Sequence, residues 1–239
     1  MNKCIIFLSK NEDYFGSAKK IKDNTKLKVD IKYIEDFALI NNKTEIVENS
    51  IIYFLCNSVL IKELVNLLEN TCCYIFNKKF FENNYTKLEI QELLINNGID
   101  TPRILINSNI KEMEFPVFCK ENKHAGMIFE AYTSHTIERF FEKFNQKDFY
   151  VEEKINGQQE IKYYYVKGNI YSKYNIENEN IVKMYCNKIA KILDLEIFSV
   201  DMIKNNNRYT IIDVNSSAGF YLLDEARNNF INEIEKLKG

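Results

Sequence analysis

The chain has 239 residues, 46% of them hydrophobic, and 32 basic against 34 acidic residues give a formal net charge of -2. That length can bury one large core or two small ones. Balanced charge without a long basic run excludes an extended polyanion-binding surface, so no nucleic-acid partner is expected.

The apolar stretch from Cys4 to Leu8 is too short for a signal-peptide core or a membrane span, so no membrane partner is expected either. The region up to about residue 80 alternates short apolar runs with helix-like stretches. Strands are predicted over Cys4–Leu8, Leu27–Ile34, Ile51–Cys56 and Cys72–Phe76, with the clearest helix over Val59–Glu69. This is the pattern of a small open α/β sheet, without a Gly-rich nucleotide fingerprint. The six cysteines (Cys4, Cys56, Cys72, Cys73, Cys119, Cys186) lack CxxC spacing, which argues against structural zinc and for a reduced, cytoplasmic setting.

Thr86-Lys87-Leu88-Glu89 has the form of a capping box, and apolar residues follow to Gly98, so a helix is predicted from Lys87 to about Asn97. Pro116 opens a strand over Val117–Lys120. A strand over Met127–Tyr132 and a helix over Ser134–Phe144 come next. Strands over Phe149–Ile155, Glu160–Val166 and Ile170–Tyr174 follow, then a helix over Asn180–Leu193 and a closing helix from about Tyr221.

Between those two helices, Val200–Ile203 and Tyr209–Asn215 flank the polar segment Lys204-Asn205-Asn206-Asn207-Arg208 and read as a hairpin. Side chains alternate along a strand, so Asp213 and Asn215 share a face. A turn centred on Asn207 would set Asp201 opposite Asp213. Two opposed carboxylates repel unless a cation separates them, and an all-oxygen Asp/Asp/Asn set suits Mg²⁺. Taken alone, the same face equally suits a polar surface turned to water.

The order of these features resembles the ATP-grasp superfamily over residues from about 80 to 239, and is most similar to its glutamate-ligase-like branch of carboxylate–amine ligases. The resemblance rests on Lys87 opening a helix, Lys120 ending a strand before the loop Glu121–Gly126, the segment Val151–Lys162, and Ile212–Gly219. It implies an α/β (α+β) fold, namely an ATP-grasp fold with a small N-terminal open sheet. The N-terminal domain would span 1–84 and the ATP-grasp domain 85–239. Within the latter, 85–115 would link, 116–155 form a small lid, and 156–239 carry the metal site.

The resemblance also implies roles. Lys87 and Lys120 would reach the nucleotide phosphates, and Glu152, Glu153, Lys154 and Ile155 would form the segment read by adenine, with Glu160 accepting from the ribose. Asp201, Asp213 and Asn215 would hold one or two Mg²⁺ ions, with Mn²⁺ as a substitute. Lys120, Lys173, Ser216 and Gly219 would serve the reaction, the last two through a turn of small residues whose N–H groups suit an anion.

The implied activity is ATP- and Mg²⁺-dependent ligation of a carboxylate to an amine through an acyl phosphate, on a small-molecule, amino-acid or peptide substrate. A small-molecule kinase and a non-catalytic nucleotide-binding protein are the alternatives, and a homodimer is compatible with the chain. Two departures from the branch stand out. The loop after Lys120 has the single glycine Gly126, and Asn175–Glu179 replaces a longer basic insertion, leaving Lys173 or Lys183 to supply charge. His124, within that loop, reads as an exposed residue.

Overall fold

The computed structural model describes residues 1, 3–41, 43–105, 113–124, 126–157, 159–206, 208–220 and 223–237. These fall into two compact units. The first comprises Met1–Asn84, Lys162–Val200 and Val214–Gly239, and the second comprises Tyr85–Ile161 and Asp201–Asp213.

In the first unit β1 (Lys3–Leu8) lies between β2 (Lys28–Tyr33) and β3 (Ser50–Phe54), and β4 (Tyr74–Ile75) pairs with β3, all parallel. β1 and β3 are buried almost throughout, as continuous apolar runs covered on both faces must be. The helices between and after these strands are α1 (Phe15–Asn24), α2 (Ile34–Ala38), α3 (Lys43–Val47), α4 (Leu60–Leu67) and α5 (Lys78–Asn83). Four of them carry no strong apolar periodicity, which is why only α4 is legible as a helix in the sequence. The predicted strand over Cys72–Phe76 shortens to two residues.

One core joins this sheet to later parts of the chain. Cys4, Ile6, Tyr53 and Phe76 pack in the same cluster as Tyr164, Ile197, Phe220 and Phe230. Residues 1–84 thus share their interior with segments some 80 to 230 positions further on. Asn77 anchors that arrangement. It is buried, adopts a left-handed φ of 58°, and makes four hydrogen bonds. Its amide nitrogen donates to the carbonyls of Ile197 (2.6 Å) and Ser216 (3.0 Å), and its amide oxygen accepts from the N–H groups of Glu196 (2.8 Å) and Ile197 (3.1 Å).

The second unit opens with α6 (Lys87–Asn96), where both halves of the predicted capping box form between Thr86 and Glu89, and Gly98 follows at φ 68°. An antiparallel sheet runs in the order β5 (Ile104–Leu105), β8 (Phe149–Glu153), β6 (Val117–Glu121), β7 (Ile128–Ala131). Val117, Cys119, Ala131 and Val151 form its buried face against Ile137 and Phe140 of α7 (Ser134–Phe141), three residues shorter than predicted.

A third sheet has the order β10 (Asn169–Ser172), β9 (Gln159–Val166), β11 (Ile197–Asn205), β12 (Arg208–Asn215). β9, β11 and β12 each contribute residues to both units. α8 (Glu179–Leu193) precedes β11, and α9 (Asp224–Lys236) closes the chain. The closing helix begins three positions after the predicted Tyr221, which itself lies outside the described residues, as do the expected turn centre Asn207 and residues 106–112 of the expected linking segment.

Asn77→Ala removes all four bonds, strands buried carbonyl and N–H groups, and puts a β-carbon without compensation in the left-handed region. Urea unfolding is expected to show a loss of about 3 kcal/mol. Asn77→Asp, which keeps the acceptor but sets a buried carboxylate oxygen against the Ile197 and Ser216 carbonyls, should cost at least as much near neutral pH.

Candidate active site

The second unit gathers most of the charged residues marked by the sequence. Lys87 and Gln91 stand four apart on α6 and therefore share a face. Lys87 Nζ donates to Asp213 Oδ1 on β12. Gln91 Nε2 donates to Glu152 Oε2 on β8 at 3.1 Å, and the other oxygen of Glu152 pairs with Lys120 Nζ on β6.

The sheet supplies the logic for that face. Cross-strand partners project to the same side, and Phe118 opposes Glu130 and Glu152 while Lys120 opposes Ile128 and Tyr150. Phe118, Lys120, Tyr150 and Glu152 therefore occupy the face opposite the α7 core. Lys154, two beyond Glu152, reaches Glu130 at 2.6 Å. The ammonium groups of Lys120 and Lys154 lie 5.9 and 5.8 Å from the Phe118 ring centroid, within cation–π range.

Burial sets the electrostatics. Glu152 is only 2% exposed, and burial pushes its carboxyl above the usual carboxylate range despite Lys120 and Gln91 pulling it down. Asp213 adds to the upward push. Burial first, then the charges of Glu152 and Asp213, drive the Tyr150 phenol far up. His124 is not the exposed loop residue expected from sequence. Its Nε2 lies 3.2 Å from the Tyr85 carbonyl, and burial together with the Lys87 charge lowers its pKa to about 4, against weaker opposing effects from Tyr85 and Asp213. A carbonyl only accepts, so Nε2 carries the proton of a neutral imidazole.

Other marked residues sit elsewhere. Asp201 on β11 is half-buried, as is Asn215, two positions beyond Asp213 on β12. Among the described residues, no group of three or more His, Cys, Asp and Glu side chains is arranged to hold a metal. The Asp/Asp/Asn set offers two carboxylates and an amide, a donor set of hard oxygens. Glu153 exchanges hydrogen bonds with the backbone of Arg103, and Glu153, Lys154 and Ile155 line a cavity of about 380 Å³ beside Phe115 and Pro116. Glu160 on β9 and Lys173 after β10 are exposed.

The Ser216–Gly219 turn, its N–H groups expected from sequence to suit an anion, is held through its carbonyls and one hydroxyl. All four residues are buried. The carbonyls of Ser216, Ala218 and Gly219 accept from Asn77, the Tyr53 hydroxyl (2.7 Å) and the Ser17 hydroxyl, while the Ser217 hydroxyl donates to the Cys56 carbonyl at 2.7 Å. Residues of α1, of β3 and of the turn after β4 hold this turn through its carbonyls.

Sequence reasoning missed Gln91, Phe118 and Asn122. Gln91 had a readable signal, since it is a polar residue inside the apolar stripe Ile90–Leu94, four positions from Lys87. Phe118 had the period-two relation to Lys120.

A family model for the RimK-like ATP-grasp domain matches residues 83–234, well over half of the chain. The protein belongs to the RimK-like ATP-grasp family. Among solved structures, it is similar to D-alanine–D-alanine ligase from Bacillus anthracis complexed with ATP (15% identity, TM-score 0.75, covering 99% of this chain and 96% of that one). It is similar to a RimK domain ATP-grasp protein from Sphaerobacter thermophilus (11% identity, TM-score 0.75, covering 99% and 100%). It is also similar to the ATP-grasp ligase PsnB complexed with precursor peptide PsnA2 and AMPPNP (13% identity, TM-score 0.71, covering 100% and 98%). No curated protein matches. Family and fold together give this chain the ATP-grasp fold, with the α/β architecture expected from its sequence.

His124 gives a pH test on the metal-free chain. Its pKa is lower when folded than the ordinary 6.5, so the unfolded chain binds the proton first, and stability falls as pH drops from about 6.5 towards about 4. The loss should reach at most about 3 kcal/mol. His124→Gln should lack that component in denaturation curves measured across the same interval.

Proposed function

We propose that this chain is an ATP- and Mg²⁺-dependent carboxylate–amine ligase acting through an acyl phosphate on an amino-acid or peptide substrate. The observation that carries the reading is the pairing of Lys87 with Asp213 and of Lys120 with Glu152 in one unit, joined by Gln91 on the Lys87 helix.

The residues fit Mg·ATP. Asp213 keeps about a third of its side chain exposed and pairs with the Lys87 ammonium, so a cation could take its carboxylate while a phosphate oxygen takes Lys87. Glu152 is enclosed by Lys120 and Gln91 and suits the holding of Lys120 rather than metal ligation. Asp201, Asp213 and Asn215 would hold the metal, one ion or two, with Mn²⁺ able to replace Mg²⁺. When bound, Mg·ATP supplies the phosphoryl group and neutralises its charge. Phe118, flanked by Lys120 and Lys154, offers a flat apolar surface near the segment Glu153–Ile155, which would take the base, with Glu160 for the ribose.

In the proposed sequence a substrate carboxylate oxygen attacks the γ-phosphorus and ADP leaves. An amine nitrogen then attacks the acyl carbon, loses its proton, and phosphate departs. Lys87 and Lys120 orient phosphate oxygens as compact cations, and Lys173 and the turn at Ser216 and Gly219 would border the acyl end. The β5-β8-β6-β7 sheet would serve as the lid. PsnB, solved with a precursor peptide, favours a peptide as the carboxylate donor. Free buried cysteines suit a reducing, cytoplasmic setting; among the described residues no helix is long and apolar enough to cross a membrane.

Incubation with ATP, Mg²⁺, carboxylate-bearing peptides and an amino-acid panel should give amide, ADP and phosphate in equal amounts. Asp213→Asn should lower turnover by about 100-fold or more. A phosphate ester with ADP and no free phosphate would indicate a kinase. Nucleotide binding without turnover across the panel would favour a binding protein.

A further inference from the structure

Side chains of the described residues that follow Lys120 bond to the chain around the helix start that bears Lys87. Glu121 N–H donates to the Met127 carbonyl at 2.8 Å, and Asn122 N–H to the Asp148 carbonyl at 2.8 Å. A β-carbon at Gly126 would lie 2.9 Å from Glu121 Cβ and 3.0 Å from the Lys123 carbonyl oxygen, so this glycine serves close packing. From that base two side chains reach α6. Asn122 Oδ1 accepts from Leu88 N–H at 2.8 Å, and His124 Nε2 sits 3.2 Å from the Tyr85 carbonyl. The two bonds grip the chain on either side of Thr86-Lys87.

The first N–H groups of a helix have no intrahelical partners and ordinarily invite an anion. Here Thr86 takes that of Glu89 and Asn122 that of Leu88. Two of the first N–H groups are thus taken, one by the cap and one by the loop, and the Lys87 ammonium is the group of this helix start assigned to a phosphate. Lys120 is the last residue but one of β6, which runs into the same loop. The spacing of the two lysines is thus set by a short bonded circuit running from Lys120 through the loop to Lys87.

We propose that Asn122 and His124 are positioning residues, forming a latch that fixes the Lys87 helix start to the Lys120 loop and thereby sets the separation of the two phosphate-binding lysines. The latch takes the place of a backbone cradle of glycines. The proposal rests on the reading of Lys87 and Lys120 as phosphate ligands, while the latch itself can be tested without nucleotide.

Two measurements on the full chain test it. Hydrogen exchange without nucleotide should show the Leu88 amide exchanging about tenfold faster in Asn122→Ala than in the unaltered chain, as loss of one hydrogen bond requires; an unchanged rate would overturn the latch. Calorimetric titration with Mg²⁺ and AMPPNP should show about five- to tenfold weaker binding for Asn122→Ala and His124→Phe. His124→Gln, whose side-chain N–H can meet the same carbonyl, should restore most of the affinity. Binding of AMP, which lacks the β- and γ-phosphates, should stay within about twofold in all three. The proposal is overturned if His124→Gln binds as weakly as His124→Phe, or if AMP and AMPPNP weaken equally. Failure of the unaltered chain to bind AMPPNP would instead remove the phosphate-site reading, leaving the exchange result to decide the latch.

Discussion

A carboxylate almost wholly removed from water must find partners, and Glu152 finds two. Lys120 arrives from the neighbouring strand and Gln91 from the helix that also carries Lys87. Removing one partner from such a buried pair typically costs about 3–5 kcal/mol, whereas the intact pair contributes little net stability. Its consequence is geometric: the strand, its neighbour and the helix are held at one point, and Lys120 is aimed by a group too enclosed to bind a metal itself.

Lys87 and Asp213 form a contrasting pair. Both keep some exposure, so each can exchange its partner at modest electrostatic cost. A pair of opposite charges that separates to receive a metal cation and a phosphate anion keeps both charges compensated before and after. The fixed pair would supply aim and the exchangeable pair would supply binding. Burial of the neighbouring Tyr150 and His124 keeps both uncharged near neutral pH, which leaves the ammonium groups as the principal cations of this face.

Local rules made much of the fold legible. The capping box at Thr86–Glu89 forms as its spacing requires, Gly98 adopts the positive φ that ends the helix, and the strands from Val117 to Asn215 lie where apolar runs and prolines suggested. Lys87, Lys120, Glu152 and Asp213 could be marked because their order along the chain is distinctive. Features that depend on distant partners stayed hidden. Asn77 looks like an ordinary turn residue until Ile197 and Ser216, over 100 positions on, are seen to bond it. Gln91 shows locally only as a polar residue within an apolar stripe, and Asn122 carries no local signal, since the partner that defines each lies on another element. The short helices α1, α2, α3 and α5 form mainly because the sheet beside them is there to pack against, and the bonding of the Ser216–Gly219 carbonyls depends on Ser17, Tyr53 and Asn77, each more than 100 positions away.

The most direct measurement is a crystal structure of the chain with Mg²⁺ and AMPPNP. Lys87 Nζ is expected to leave Asp213 for a phosphate oxygen, Asp213 to ligate the metal, and Lys120 to contact phosphate while still bonded to Glu152. A nucleotide bound elsewhere, with the Lys87–Asp213 pair still closed and no metal at Asp213, would contradict this.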